Sequence, residues 1–345
     1  MRIGYSFWGF IGPGIVDTPD GGRFWRQGII DTLLGHGHEV ILLQQDRDRL
    51  EAGTAQPYVW DTGLPPLDVL FCEWRWPLPG RNTTPCGTTG HTCDLHRQAD
   101  LLAHYTDRGT PTVLWDTDRQ LPSDDLLRGT PHVIVCDPAL RPSPPAPTLA
   151  AMVPDDLLEA ADPTRLAVAD RPLDLAYVGN QYDRDEAFDR FFAPPAARVP
   201  HRVAGKWTRI EPWPHVNFTG RAPFTEVSPI YSTALATVLL MPDRYSATGS
   251  VSQRFPEAVL AGCLPLTPTT LLSADQITPT ELHVADGDEV LERLAWLRGI
   301  QGTPEHADLI AACLNRLNLF RHSRQVAELE RLMATLTHST RKAYR

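Results

Sequence analysis

At roughly 100–200 residues per domain, a chain of 345 residues points to two domains, each long enough to bury its own core. Its 32 basic and 42 acidic side chains leave a net charge of -10, which argues against nonspecific binding to nucleic acid or acidic membranes while leaving room for a local basic cleft. No stretch approaches about 18 consecutive apolar residues, so no transmembrane helix is expected, and 42% hydrophobic residues mark a globular chain.

The first half alternates strands with helices. Residues 2–7 form a short apolar run that opens into a glycine-rich stretch, 8–22, and residues 22–35 have helical spacing with Phe24, Ile29, Ile30, Leu33 and Leu34 on the apolar side. Gly35-His36-Gly37-His38 stops that helix. Strands are predicted at 39–43, 68–72, 112–115 and 132–136, with a helix at 95–105; the short, wholly apolar runs are of the buried parallel type. Residues 137–147, DPALRPSPPAP, cannot be helix or central strand and are read as the connection between domains, with a join that extends as far as about Pro172. A second series follows: strands at 173–178, 201–204, 216–218, 237–241 and 264–266, and helices at 183–192, 226–235, 252–261, 288–298 and 304–336. Strand-helix alternation means doubly wound α/β sheets. The expected domains are 1–150 and 151–319, with a C-terminal helix, 320–345, that packs back on the first. A ligand is then expected between two such halves, outside the carboxyl ends of the strands. The start lacks a secretory pattern, and six cysteines are too sparse for a disulfide framework, so a reducing cytoplasm is the expected location.

Loops after strands are therefore where chemistry is sought. The first, 8–22, carries Gly12 and Gly14, which let backbone approach a ligand, with Trp8 and Phe10 as substrate contacts and Asp17 and Asp20 as acids. The second is Gly179-Asn180, a strand end whose N–H groups suit a phosphate. The third is Gly205-Lys206-Trp207. The chain has only two lysines, Lys206 and Lys342, and an ammonium kept in an otherwise arginine-rich chain suits a diphosphate. The fourth is Gly249-Ser250-Val251-Ser252-Gln253-Arg254-Phe255-Pro256-Glu257, where a turn enters a helix with Ser252 as its expected cap. Arg254 and Glu257, three apart, share a helix face; the cation suits phosphate and the carboxylate suits two ribose hydroxyls.

The glycines and helix that lead to Gly35-x-Gly37-His38-Glu39-Val40 resemble the first βαβ unit of GT-B glycosyltransferases. The run from Arg254 through Glu257-Ala258 to Gly262 and Leu266 is similar to their donor-site helix, and Tyr177-Val178-Gly179-Asn180 resembles the strand that opens their donor domain, especially in CgeB-like members. The resemblance implies a GT-B fold of two Rossmann-like α/β domains and a glycosyltransferase that uses a nucleotide-diphosphate sugar, such as a UDP-sugar, as co-substrate, with no tightly bound cofactor. It implies that Glu257 holds the ribose and that Lys206 and Arg254 hold the diphosphate. Many retaining members carry a second glutamate eight positions before the ribose-binding one; here that position is Gly249, which leaves the stereochemical outcome open.

The general base of an inverting transfer is then expected from the first domain, with Asp17, Asp20, Asp116 and Asp118 as candidates. Asp116-Thr117-Asp118 also spells a metal motif of a different glycosyltransferase fold, and capping is the plain alternative. Glu73 and Arg75, flanked by Trp74 and Trp76, are candidate sugar contacts. Cys86-x4-His91-x-Cys93-x2-His96 offers two thiols and two imidazoles, but the spacing is not that of a standard zinc knuckle, so no metal is expected. The acceptor stays open among small molecules, glycans and modified DNA bases; Arg23, Arg26, Arg75, Arg81 and Arg97 would supply part of a DNA groove. A GT-B epimerase or hydrolase, and a non-catalytic nucleotide-sugar-binding protein, are the alternatives.

Overall fold

The computed structural model describes residues 1–7, 11, 21–44 and 58–343. They form two units: one takes the first strand, the described residues from Gly22 to Met152, and 322–343; the other takes Gly21 and Val153–Arg321. Strands are numbered in chain order. In the first unit β1 (Arg2–Ser6), β2 (Glu39–Leu42), β3 (Val59–Trp60), β4 (Val69–Glu73), β5 (Thr112–Trp115) and β6 (Val133–Cys136) lie in the order β3-β2-β1-β4-β5-β6. All of its pairings are parallel.

Both faces of this sheet are covered, which is why its strands read as unbroken apolar runs. Alternate residues divide between two cores. Ile3, Tyr5, Val69, Phe71, Val113 and Trp115 face the helices Arg26–Gly35 and His322–Ala343, which bring Ile29, Ile30, Leu33, Val326, Leu329 and Met333. Leu70, Cys72 and Leu114 face the helix Asp94–Thr106 with Leu101, Leu102 and Tyr105. On the first face Tyr5 stacks on Phe71 and Phe71 on Trp115, following the strand order β1-β4-β5.

In the second unit β7 (Leu173–Val178), β8 (His201–Ala204), β9 (Ala234–Val238), β10 (Leu264–Pro268) and β11 (His283–Val284) lie in the order β11-β10-β9-β7-β8, again all parallel. Its strand order reverses between β7 and β9, the place where open α/β sheets leave a crevice. The fully buried Arg171 ties the elements behind it. Its guanidinium donates to Leu166 O, Ser232 O, Ala234 O and Ala261 O at 3.0–3.1 Å. Leu166, Ser232 and Ala261 sit at the ends of the helices Pro163–Ala167, Val227–Ser232 and Arg254–Leu260, where carbonyls lack intrahelical partners and favour a cation.

Several elements differ from the sequence reading. Residues 137–147 do not join the units; they lie inside the first. The proline-rich loop returns on itself, because Asp137 N donates to Pro147 O, Leu149 N donates to Asp137 O, and the Asp137 carboxylate pairs with Arg119. The expected helix 304–336 is two helices, Pro304–Arg316 and His322–Ala343, split by a tight turn at Leu317–Phe320. Leu317 and Phe320 are buried, Phe320 against Phe255, and Arg321 pairs with Asp155 and Glu159, so the chain stays with the second unit until residue 321. In place of a helix over 183–192 there is one turn, Asp185–Ala187, then a wider π turn over Phe188–Phe192 that buries three phenylalanines ahead of two prolines. Residues 216–218 make a single bridge, Val203 to Phe218. The expected strand 237–241 starts three residues earlier, because Ala234 already pairs with Leu173 of β7.

Candidate functional site

The strand ends beside the reversal in the second sheet are bound together by their own backbone. Gly179 N donates to Ala204 O at 2.8 Å, and Lys206 N donates to the Asn180 side-chain oxygen at 2.8 Å. Gln181 N donates to Lys206 O, and its side-chain oxygen accepts from Thr208 N and Arg209 N at 2.9 and 3.0 Å. Gly205 has φ +143°, and a Cβ there would overlap the Gly179 carbonyl, so only glycine lets the two loops approach this closely. Trp207 holds the same junction from behind. Its indole N–H donates to Gly179 O at 2.9 Å, and its ring packs on Phe188, Phe218, Trp213 and Tyr177. That packing makes Trp207 a wall of the loop pair. The Lys206 side chain points away from the core and is exposed.

Between β9 and β10 the chain makes a polar turn and then the helix Arg254–Leu260. Gly249 takes a left-handed φ of +69°. The expected cap at Ser252 is displaced: Gln253 occupies the cap position with helical dihedrals, and no side chain caps the helix. Arg254 ion-pairs with Glu257 through one carboxylate oxygen. The other oxygen, Oε1, is buried with no partner among the described residues. So are Ser250 Oγ and both polar atoms of the Gln253 side chain. A buried polar atom left unpaired costs about 1–3 kcal/mol. Four such atoms cluster on one turn and helix start. Burial pushes the Glu257 carboxyl above the ordinary carboxylate range, against the pull of Arg254. Burial also raises Tyr231, which lies within the field of the same pair. Val251 is buried beside Ser250.

Gly179, Asn180, Lys206 and Trp207 are thus brought into one loop pair, and Gly249 to Ser252, Arg254 and Glu257 into one turn and helix. Gln253 was missed by the sequence reading. Its signal was a long polar side chain just ahead of a buried Phe255-Pro256 pair.

In the first unit the candidates separate. Trp8, Phe10, Gly12, Gly14, Asp17 and Asp20 lie outside the described residues. Glu73 is fully buried at the end of β4, where it accepts from Tyr5 Oη at 2.7 Å and from Arg26 at 2.8–2.9 Å. Arg75, 3% exposed, donates to the Phe7 carbonyl, and its backbone is gripped by the Gln98 side chain. Both serve internal bonds in this structure. Asp116 is also buried and accepts from Gln120 N and Leu121 N at 2.8 and 2.9 Å, which makes it a turn cap. Asp118 is part-exposed and accepts from Trp76 Nε1 at 3.1 Å. Arg23, Arg26, Arg75 and Arg97 are buried, so they do not line a DNA groove as the sequence allowed. The four residues Cys86, His91, Cys93 and His96, read without a metal, bring their ligand atoms within 4.8 Å of one another.

No family model matches the chain, and no curated protein does. Solved structures do. The DNA-modifying β-glucosyltransferase of phage T4, solved with and without UDP-glucose, superposes with a TM-score of 0.62 at 12% identity over 97% of this chain and 99% of that one. AviGT4, a glycosyltransferase involved in avilamycin A biosynthesis, gives 0.60 at 14% identity over 97% and 98%. Anabaena HepE, solved with UDP and glucose, gives 0.55 at 10% identity over 97% and 99%. No helix among the described residues is long and apolar enough to cross a membrane. With two parallel α/β units and these neighbours, the chain has the GT-B fold of glycosyltransferases.

Proposed function

We propose that this protein transfers a sugar from a UDP-sugar to an acceptor hydroxyl, with the donor held by the second unit. The observation that carries the reading is the group of buried, unpartnered polar atoms at Ser250, Gln253 and Glu257. The free Glu257 oxygen accepts from the ribose hydroxyls, while Gln253 and Ser250 bond the remaining polar edge of the nucleoside. Lys206 and Arg254 neutralise the diphosphate, and positive charge there stabilises the leaving group as the glycosidic bond breaks. The donor is a co-substrate, and no tightly bound cofactor takes part. Asp17, Asp20 and Asp118 are the candidates to accept the acceptor proton; Asp116 is spent on the turn it caps. A small-molecule or glycan acceptor is favoured over DNA because four of the arginines counted toward a groove are buried. Six free cysteines fit a reducing cytoplasm as the place of reaction.

Calorimetric titration with UDP tests the donor site. A hydrogen bond to a charged group contributes about 1.5–3 kcal/mol, so Glu257→Ala is expected to weaken UDP by roughly 10- to 100-fold per bond lost. Lys206→Ala weakens it in a salt-dependent way, and both variants lose transfer with their fold intact. Unchanged UDP affinity in both would reject the assignment. Conversion of the sugar without acceptor would favour an epimerase or hydrolase of the same fold.

A further inference from the structure

The segment 74–93, between β4 and the helix Asp94–Thr106, contains no helix or strand. Segments of this length without secondary structure are uncommon in compact domains unless something organises them. Some order comes from Asn82, whose side chain accepts from Leu78 N at 2.6 Å and donates to Trp76 O at 3.1 Å. The far end is organised differently. Pro85 and Thr88 carbonyls close two tight turns, and Gly87 and Gly90 take left-handed φ values of +86° and +81°. Those turns fold the loop so that Cys86 and His91 approach the start of the helix, where Cys93 sits at the cap and His96 one turn in.

The four side chains meet there. Cys86 Sγ lies 3.3 Å from His96 Nδ1, and all four ligand atoms lie within 4.8 Å of one another. Zinc binds thiolate at about 2.3 Å and imidazole at about 2.0 Å, which sets adjacent ligand atoms of a tetrahedron roughly 3.3–3.8 Å apart. The cluster needs only a small side-chain contraction to reach that. His91 supplies an independent observation. Its Nδ1 is engaged by Thr84 Oγ1 at 3.0 Å, while its Nε2 is buried and has no partner among the described residues. A ring oriented through one nitrogen with the other left open is how ligating histidines are held. The spacing along the chain is not that of a standard knuckle, but in the structure His91 approaches from the loop and Cys93 from the helix cap.

We propose that Cys86, His91, Cys93 and His96 bind one zinc ion, His91 through Nε2 and His96 through Nδ1. Two thiolates and two neutral imidazoles leave a zinc complex with no net charge, and four protein ligands leave no open position, so the site is structural. It staples the loop to the helix and lowers the chain entropy lost when the loop is ordered. The four residues all belong to the first unit, and the site does not rest on the proposed transfer.

The test uses the full chain, purified without chelator and then dialysed against zinc. Metal analysis is expected to give one zinc per chain, and cobalt replacement is expected to give the visible absorption of a tetrahedral thiolate complex. The double variant Cys86→Ser/Cys93→Ser loses both. Because that variant could fail to fold, thiol alkylation of the unaltered protein provides a second measurement. The other four cysteines are buried, so a chelator is expected to expose two further reactive thiols, at Cys86 and Cys93, in native protein. Zinc well below one equivalent after dialysis, zinc retained by a folded double variant, or a Cys86–Cys93 disulfide in the protein as purified would each overturn the site.

Discussion

Glu73 separates two roles that look alike in sequence, a contact for substrate and a brace inside the first unit. Its carboxylate is fully buried and is bonded by the Arg26 guanidinium through Nε at 2.9 Å and a terminal nitrogen at 2.8 Å, with Tyr5 Oη at 2.7 Å. Glu73→Ala leaves Arg26, itself 3% exposed, as a buried cation without this partner. Breaking one side of a buried pair costs about 3–5 kcal/mol. For a unit of about 150–250 residues each kcal/mol moves the midpoint by roughly 2–4 °C, so its thermal transition is expected to fall by roughly 6–20 °C. Tyr5→Phe removes one bond to a charged acceptor and costs about 1.5–3 kcal/mol. The double replacement Arg26→Met/Glu73→Leu removes both charges together and is expected to recover most of the loss. Scanning calorimetry resolves the transitions, and added UDP marks the second unit by shifting its midpoint upward. A Glu73→Ala protein whose first unit melts like the parent, yet fails in transfer, would refute the brace and return Glu73 to the substrate. A double variant no better than Glu73→Ala would refute the pairing energetics.

Two more outcomes follow from the second unit. Gly205→Ala puts a Cβ against the Gly179 carbonyl at a φ that costs a side chain about 1–3 kcal/mol; calorimetry should show UDP affinity reduced at least tenfold while the first unit melts normally. Because burial raises the Glu257 carboxyl above its ordinary 4.5, the folded state keeps a proton that the unfolded chain releases. Stability of the second unit therefore declines as pH rises from 4.5 through the raised value, while UDP affinity grows over the same window as the carboxylate forms. Urea unfolding at a series of pH values checks this, and Glu257→Gln should flatten the slope.

Much of the architecture was legible because buried parallel strands must be short apolar runs. Residues 112–115, 173–178 and 201–204 form strands with the predicted bounds. What local pattern could not carry was partnership. The amphipathic stripe of 304–336 continues on both sides of residues 317–321, so nothing in its period shows that the stripe changes partners there. The proline content of 137–147 reads as a linker, although hydrogen bonds from Asp137 turn it into a closed loop. Arg254 and Glu257 were found because their spacing fixes a shared helix face. Glu73 and Arg75 were placed at a strand end correctly, yet whether such a side chain turns inward depends on Tyr5, Arg26 and Gln98, distant in the chain. The Cys-His cluster was judged by ligand spacing along the chain, which does not register two left-handed glycines that fold the loop back.

The division of the chain also sets an order of assembly during synthesis. The first unit is made from both ends of the polypeptide, and nearly all of the second is one long insertion whose ends, Val153 and Arg321, are bridged side by side. A ribosome releases everything the second unit needs before it has made the helix His322–Ala343. Until that helix emerges, one face of the first sheet, including Ile3, Phe71 and Val113, lacks the cover of Val326, Leu329 and Met333. The half that is begun first is therefore finished last, and a chain truncated after residue 321 keeps a whole second unit beside a first unit with an exposed apolar face.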